Sequence, residues 1–348
     1  MELDRWHWYG QMLRSRLFEE AVAGLWREGA IPGEMHLGIG EEAVVAGVLA
    51  HLGDGDALAL DHRGTPPLLM RGVDPVALLR ELLGRPDGLC RGMGGHMHLF
   101  SKELLAASSG IVGAAGPGAA GFALAGLHLR PETVAIAFFG DGAINQGMLM
   151  ESMNLAVAWN LPVLFVCKDN GWAITTRSES VTGGTPEERA CGFGLATEVT
   201  DGTDLAAVWE AAGELIERAR AGGGPGFLQA RCSHPEGHFL GDPLLRIARH
   251  PVSEITEMTG PLLKSLGRRG GASLAKRAGG LGKIVGVVLR TVREQVRSER
   301  DPLTVARKPL VKEPDGRERL EELEESIVLE VGDIVRTATE PVAAEAGR

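Results

Sequence analysis

The chain is poor in cysteine and almost without tyrosine: four Cys and one Tyr stand among its 348 residues. Cys90, Cys167, Cys191 and Cys232 are scattered with no CxxC spacing. They give no signal for a zinc ribbon or a disulfide framework, and they fit a reducing compartment. Positive charge is in deficit as well. The 36 Lys and Arg are outnumbered by 46 Asp and Glu, which leaves a formal net charge of −10. A nucleic-acid backbone needs a basic face, so no nucleic-acid partner is expected. Long apolar runs are also missing; none approaches the roughly 18 residues that a membrane span needs. The opening stretch "MELDRWHWYGQMLRSRLFEE" is charged and amphipathic, unlike a secretory signal. These absences predict a cytoplasmic protein with no membrane span.

Glycine is what abounds. The 49 Gly residues are about twice the usual share of roughly 7%. Such an excess serves tight turns and close backbone approach to a ligand, or reflects plain drift toward small residues. With a hydrophobic fraction of 44%, the chain can bury one large core or two modest ones.

Periodicity gives the elements. Trp6, Leu13, Leu17, Ala21 and Leu25 recur at helical spacing and predict an N-terminal amphipathic helix. A Gly/Pro loop carrying His36 follows, then a helix from near Glu41 to Gly53. "DALALDHRGTPPLLMRGVDPVALLRELLG" predicts a strand, a polar loop and a helix; a long Gly-rich loop then enters an Ala/Gly-rich helix suited to close packing. "TVAIAFFG", "MLMESMNLAVAWN" and "VLFVCKDN" read as buried strand, helix and buried strand. That is a βαβ unit, hence a parallel sheet with a right-handed crossover. "DLAAVWEAAGELIERARAG" adds a helix and "GPGFLQARCS" a strand. The expected fold is α/β: a doubly wound, mostly parallel sheet flanked by helices, with a helical C-terminal extension. Residues 1–243 form the expected main domain. Residues 244–300 are a basic, Gly-rich insertion with Ile284, Val287, Val288 and Val292 at helical spacing, which suits a surface helix or an anionic docking contact. Residues 301–348 carry a last helix with Leu320, Leu323, Ile327, Val331 and Ile334 on one face.

The stretch "VAIAFFGDGAINQG" holds the chemistry. Glycines at a strand end let backbone amides approach a phosphate, yet Asp141 in the middle of the turn would repel one. In a doubly wound sheet, ligands bind beyond the carboxyl ends of the strands. Asp141 stands at one such end, and Asn170 stands at the next, one βαβ step later. Both offer hard oxygen ligands, which suit Mg²⁺ or Ca²⁺, and Mg²⁺ commonly joins one or two protein oxygens to substrate phosphates. A cation between carboxylate and phosphate accounts for the aspartate. Gly140 and Gly142 keep the turn open, and Gly142 and Ala143 can turn amides toward the phosphate.

"GDGAINQGMLMESMNLAVAWNLPVLFVCKDNGWA" resembles the thiamine-diphosphate motif that opens with GDG and closes with Asn. "MHLGIGEEAVVAGV", "DHRG", "LMRGVDP", "RGMGGHMHLF", "GIVGAAGPGAAGFALA" and "EGHFLGDP" follow the same family in the same order. The chain is thus similar to the alpha subunit of the decarboxylating component of 2-oxo acid dehydrogenase complexes. "HLGIGEEA", "DHRG" and "GHFLGD" lean to the acetoin rather than the pyruvate branch. The resemblance implies Mg²⁺ held by Asp141, Asn170 and the backbone carbonyl of Trp172, and a diphosphate met by Gly142 and Ala143. It implies a phosphate contact from Arg63 beside His62, with Gly110 and Val112 lining the thiamine. It puts His36 near the reacting carbon against substrate, and His238 on a loop over the site, assisting proton transfer.

The implied reaction is cleavage of a small oxo substrate, a 2-oxo acid or acetoin, with transfer of the acyl unit to a lipoylated acyltransferase. An alternative acceptor is a carrier protein in a biosynthetic pathway; a non-catalytic Mg-diphosphate-binding regulatory subunit is the remaining alternative. The resemblance also implies a beta subunit, in an alpha2beta2 heterotetramer, because the second half of the thiamine site belongs to another chain. Some positions depart from the family. Thr65-Pro66-Pro67 stands where histidines usually follow "DHRG", replacing a polar active-site neighbour. "LLRIARHP" stands where Tyr-Arg usually follows the His238 loop. His96 and His98 lack an evident third metal ligand and read as loop-packing residues. Glu151 and Asn154, three apart on one helix face, read as helix-to-loop hydrogen-bonding residues.

Overall fold

Strands buried on both faces organise the sheet. A computed structural model describes residues 2–241 and 301–340, with isolated positions between 273 and 286. Its main sheet contains β1 (Ala57–Leu60), β2 (Phe100–Ser101), β3 (Ala106–Ser108), β4 (Ala135–Gly140), β5 (Val163–Asp169), β8 (Ala196–Asp201) and β9 (Gly226–Arg231). Their order is β2-β3-β1-β4-β5-β9-β8. Every pairing is parallel except β2 with β3 at one edge. A hairpin of β6 (Trp172–Ala173) and β7 (Thr176–Arg177) stands beyond the end of β5.

Side chains alternate across the pleat, so one strand feeds two cores. Ile136, Phe138, Leu164 and Val166 enter one core, while Ala137, Phe139, Phe165 and Cys167 enter the other. The first core is closed by α1 (Arg5–Arg27), α2 (Glu42–Leu49), α3 (Thr65–Met70), α4 (Pro75–Leu82) and α8 (Leu205–Arg220). The second is closed by α5 (Ala115–Leu129), α6 (Gly147–Ala158) and α7 (Pro186–Phe193). Small residues let α5 and α6 pack closely: a Cβ at Gly116 would come within 2.8 Å of Leu149 Cδ1.

The C-terminal helices α9 (Pro302–Leu310) and α10 (Gly316–Thr339) join the first core through Leu310, Leu320 and Ile334. The Tyr9 hydroxyl donates to Glu324 at 2.6 Å, and Arg16 bridges Glu42 at 2.6 Å and Asp301 at 2.9 Å. The fold is therefore the expected α/β class with a mostly parallel sheet and C-terminal helices. Ile284, Val287, Val288 and Val292, expected on one helix face, and "LLRIARHP" lie outside the described residues.

Some elements differ from expectation. The fully buried stripe of α1 is Met12, Phe18 and Val22; Trp6, Leu13, Leu17 and Leu25 flank it half-buried. The helix lies between the sheet body and α10, so it buries a wider and rotated face. α2 ends at Leu49, four residues before Gly53. Thr65-Pro66-Pro67 opens α3 instead of continuing a loop, since proline fits a first helical turn whose N–H groups have no intrahelical partner. β2 and β3 interrupt the Gly-rich stretch, and α7 and β8 lie where no element was expected. α7 shows the full start-and-stop chemistry: a capping box of Thr185 and Glu188, Pro186 in the first turn, and Gly194 at φ 95° as its stop.

Candidate active site

The sheet register sets the site. Gly140 on β4 pairs with Lys168 on β5, so Asp141 and Asn170 emerge side by side at the C-terminal ends of neighbouring strands. Asp141 is 2% exposed and opens a 3₁₀ turn, Asp141–Asn145. The Ser178 hydroxyl donates to its carboxylate. Burial, reinforced by Asp169, pushes the Asp141 carboxyl up to about 7 against that hydrogen bond. Asn170 is fixed on both branches of its amide. Its Oδ1 accepts the Trp172 N–H at 2.9 Å, and its Nδ2 lies 2.6 Å from His234 Nδ1.

A buried charged network forms the floor. Lys168, on the otherwise apolar β5, places Nζ 2.6 Å from Glu41 and 3.0 Å from Asp61. Glu41 also meets His234 Nε2 at 2.6 Å and lies 3.9 Å from the Arg63 guanidinium. Burial opposes ionisation of Glu41, but Lys168, His234 and Arg63 outweigh it and hold the carboxyl well below the usual range. Burial likewise opposes the Lys168 charge, and Asp61 with Glu41 more than restore it. His234 is driven down by burial and by Arg63. Arg63 itself is clamped: it donates to the Leu37 carbonyl, and at 2.7 Å to the His238 carbonyl.

Histidines make the opposite wall. The metal-binding atoms of His36, His62 and His238 lie within 4.8 Å of one another. His36 stacks on His96, with Nδ1 2.9 Å from His96 Nε2. Burial, with Arg63 adding to it, pushes His36 down to about 2, His62 to about 3 and His96 to about 4. These rings are therefore neutral at pH 7, each with one donor and one acceptor nitrogen. The permanent charge of Arg63 beside them disfavours a cation here. The cluster is suited to hydrogen bonding and proton transfer rather than to caging a metal.

A loop anchor places His96. Glu81, buried on α4, accepts the backbone N–H groups of Cys90 at 2.6 Å, Gly92 at 2.8 Å, Gly94 at 2.7 Å and Gly95 at 3.2 Å. The next residue is His96, which is buried against His36 rather than packing only its own loop. His98 is exposed, as are Glu151 and Asn154 on α6.

All the residues singled out for the site line one cavity of about 450 Å³: His36, His62, Arg63, Gly110, Val112, Asp141, Gly142, Ala143, Asn170, Trp172 and His238. That volume suits a small-molecule ligand. Gly110 is packed so tightly that a Cβ would approach Met97 Sδ at 3.0 Å, while Ile111 and Val112 are 62% and 52% exposed at the rim. Thr65, Pro66 and Pro67 are not among the lining residues. Pro66 instead underlies the His36 loop: a Cβ at Gly38 would meet its Cγ at 2.6 Å. The expected loss of a polar neighbour is thus a change in packing beneath His36.

Sequence reasoning passed over Glu41, Asp61, Lys168 and His234, and read His96 as loop packing alone. Lys168 carried a usable signal, a lone charge at the end of an apolar run. The others sit in polar loops or at a helix start, where charge is ordinary.

A family model described as the dehydrogenase E1 component matches residues 10–264. The chain belongs to the dehydrogenase E1 component family. Two of its relatives are the alpha subunits of acetoin:2,6-dichlorophenolindophenol oxidoreductase from Cupriavidus necator and Bacillus subtilis, 47% and 43% identical over 237 residues. Each of these alignments covers 67% of this chain and 71% of the relative. The pyruvate dehydrogenase E1 component subunit alpha of Zymomonas mobilis is 38% identical over 257 residues, 73% of each chain. Family membership makes the chain an E1 dehydrogenase component, and it implies thiamine diphosphate as cofactor. No helix among the described residues is long and apolar enough to cross a membrane.

Proposed function

We propose that the chain is the alpha subunit of a two-chain enzyme that uses thiamine diphosphate and Mg²⁺. It cleaves acetoin, or a 2-oxo acid, and passes the acyl unit to a lipoylated acyltransferase. The main support is the pairing of Asp141 and Asn170 at adjacent strand ends, facing Arg63 and the histidines across one cavity. The donor set fits a hard cation: one carboxylate and one amide oxygen at the mouth of a phosphate turn. Asp141 is buried, and a cation beside it would balance its carboxylate.

Asp141, Asn170 and the Trp172 carbonyl would hold Mg²⁺. Gly142 and Ala143 would give backbone contacts to the diphosphate, and Arg63 with His62 would contact a phosphate. Gly110 and Val112 would line the thiamine. When bound, thiamine diphosphate supplies the nucleophilic carbon and the electron sink for carbon–carbon cleavage. The chain's own residues then bind, orient and move protons. His36, neutral and backed by His96, faces the substrate. His238, tied through its carbonyl to Arg63, offers a ring for proton transfer. Acetoin is favoured over pyruvate by the higher identity to the acetoin enzymes. The exposed Ile111 and Val112 leave an apolar rim for a beta subunit, in an alpha2beta2 assembly.

The test is co-expression with a beta-type chain and an assay of substrate-dependent dichlorophenolindophenol reduction. Acetoin, pyruvate and branched 2-oxo acids are compared with thiamine diphosphate and Mg²⁺ present. Acetoin-dependent reduction by the heteromer alone, with none by the single chain, is expected. Asp141→Ala abolishes cofactor binding; tight binding retained in that variant overturns the site.

A further inference from the structure

We propose that His234, backed by Glu41, is a positioning residue that fixes the amide of Asn170, so that its oxygen and not its nitrogen faces the cation. This inference rests on the proposed Mg²⁺ site, and nothing in the family match assigns His234 a part in it.

The two ends of an Asn amide are nearly equal in shape and opposite in function. Only the oxygen can ligate a cation; the NH₂ group repels one. Asn170 follows a strand end and is partly exposed, so its own backbone does not dictate which end faces the cavity. The neighbours decide. Glu41 is buried and held ionised by Lys168 at 2.6 Å, with Arg63 at 3.9 Å. An ionised carboxylate only accepts, so His234 Nε2, 2.6 Å away, must carry the proton. Lys168 and Arg63 already balance Glu41, so the ring needs no second proton and Nδ1 is left as an acceptor. That acceptor, 2.6 Å from the Asn170 amide, selects Nδ2 as its donor. Asn170 Oδ1 is left on the other side, where it accepts the Trp172 N–H at 2.9 Å and keeps a lone pair for the cation. Turning the amide over would set oxygen against a bare ring nitrogen and NH₂ against the Trp172 N–H. Both hydrogen bonds would be lost together.

The relay runs Lys168, Glu41, His234, Asn170, each step within hydrogen-bond distance. A charge pair buried beneath the sheet end thereby sets the polarity of a neutral ligand. Partners of this kind typically govern metal affinity by about 10–100-fold.

The test uses the alpha–beta heteromer and Mn²⁺ as probe, titrated by calorimetry at saturating thiamine diphosphate. His234→Phe removes the Nδ1 acceptor and is expected to weaken Mn²⁺ binding about 10–100-fold. His234→Gln can accept from Asn170 and donate to Glu41 through one amide, and is expected to bind Mn²⁺ within about threefold of wild type. Asn170→Asp presents oxygen on both branches, so orientation ceases to matter. The double variant His234→Phe/Asn170→Asp is therefore expected to bind Mn²⁺ as tightly as Asn170→Asp alone, whereas a purely structural role for His234 would carry the full loss into the double variant. Wild-type affinity in a folded His234→Phe heteromer overturns the proposal, as does a double variant that falls below Asn170→Asp by as much as His234→Phe falls below wild type. Where the Phe variant fails to assemble, a tenfold loss in His234→Gln is sufficient to overturn it. Failure of the wild type itself to bind Mn²⁺ with thiamine diphosphate would instead sink the proposed function.

Discussion

The rings of His36 and His96 stack 20° from parallel, and a nitrogen of one lies 2.9 Å from a nitrogen of the other. One ring must donate and the other accept, so the pair couples the tautomer of His36 to that of His96. His96→Ala removes that partner without touching the strand-end residues. It should lower kcat about tenfold or more, as expected for misplacing an acid–base group, and leave thiamine diphosphate affinity almost unchanged. His96→Gln should recover part of the loss. Steady-state kinetics beside a cofactor titration read both; an unchanged kcat in His96→Ala would exclude the coupling.

Neutralising Glu41 leaves Lys168 buried with Asp61 alone. Breaking a buried pair from one side costs about 3–5 kcal/mol. Glu41→Gln should therefore lower the urea midpoint markedly. A loss below about 1 kcal/mol, the range of exposed pairs, would mean that the network is open to water.

Glu19 gives a pH dependence with a definite sign. Its Oε1 accepts the Gly38 N–H at 3.0 Å, its Oε2 has no partner among the described residues, and burial pushes the carboxyl up to about 8. The unfolded chain releases this proton near the ordinary value of about 4.3. Between that value and about 8 the folded state holds a proton that the unfolded state has lost. Stability therefore falls as pH rises through this window and levels off above it. Glu19→Gln keeps the Gly38 hydrogen bond and removes the titration. Its thermal midpoint should exceed that of wild type, and by more at pH 8 than at pH 5, an effect on the order of a few kcal/mol. A difference that shrinks with rising pH would contradict the assignment.

His238 meets Arg63 through its backbone carbonyl at 2.7 Å and, more weakly, through ring Nδ1 at 3.4 Å, so truncating its side chain preserves the shorter contact. His238→Ala should bind thiamine diphosphate as wild type does, and lose turnover by about 10²-fold or more if the ring transfers protons. Pre-steady-state mixing with acetoin, followed by dye reduction, separates binding from chemistry. An equal loss in both would make His238 a cofactor-holding residue instead.

The strand-end half of the site was legible in the sequence. Asp141 and Asn170 follow apolar β-type runs of unmistakable pattern, and the helix between them fixes their adjacency. The histidine wall was legible only through the family resemblance, because His36, His62 and His238 come from separate loops that no local periodicity brings together. The floor was not legible. Glu41 and Lys168 lie far apart in the chain, and their pairing depends on the start of α2 meeting the end of β5. α3 was missed because Thr65-Pro66-Pro67 resembles a turn; its burial, which makes it a helix start, is a tertiary property.

The four amides gathered by Glu81 have a consequence for how this loop can diverge. The loop from Cys90 to Gly95 is held mainly by its backbone, with Cys90 Sγ also accepting the Phe100 N–H at 3.2 Å. Most substitutions there leave the anchor intact, so the segment can drift while still delivering His96. Three positions are denied that freedom, one of them Gly95, whose φ of 56° disfavours any side chain. A side chain at Gly92 would drive its Cβ to 2.6 Å from the Gly84 carbonyl oxygen, and one at Gly94 would strike the His98 backbone. Descendants of this chain should vary freely around those glycines, and Glu81, far from any reacting atom, should tolerate change as poorly as the histidine it serves.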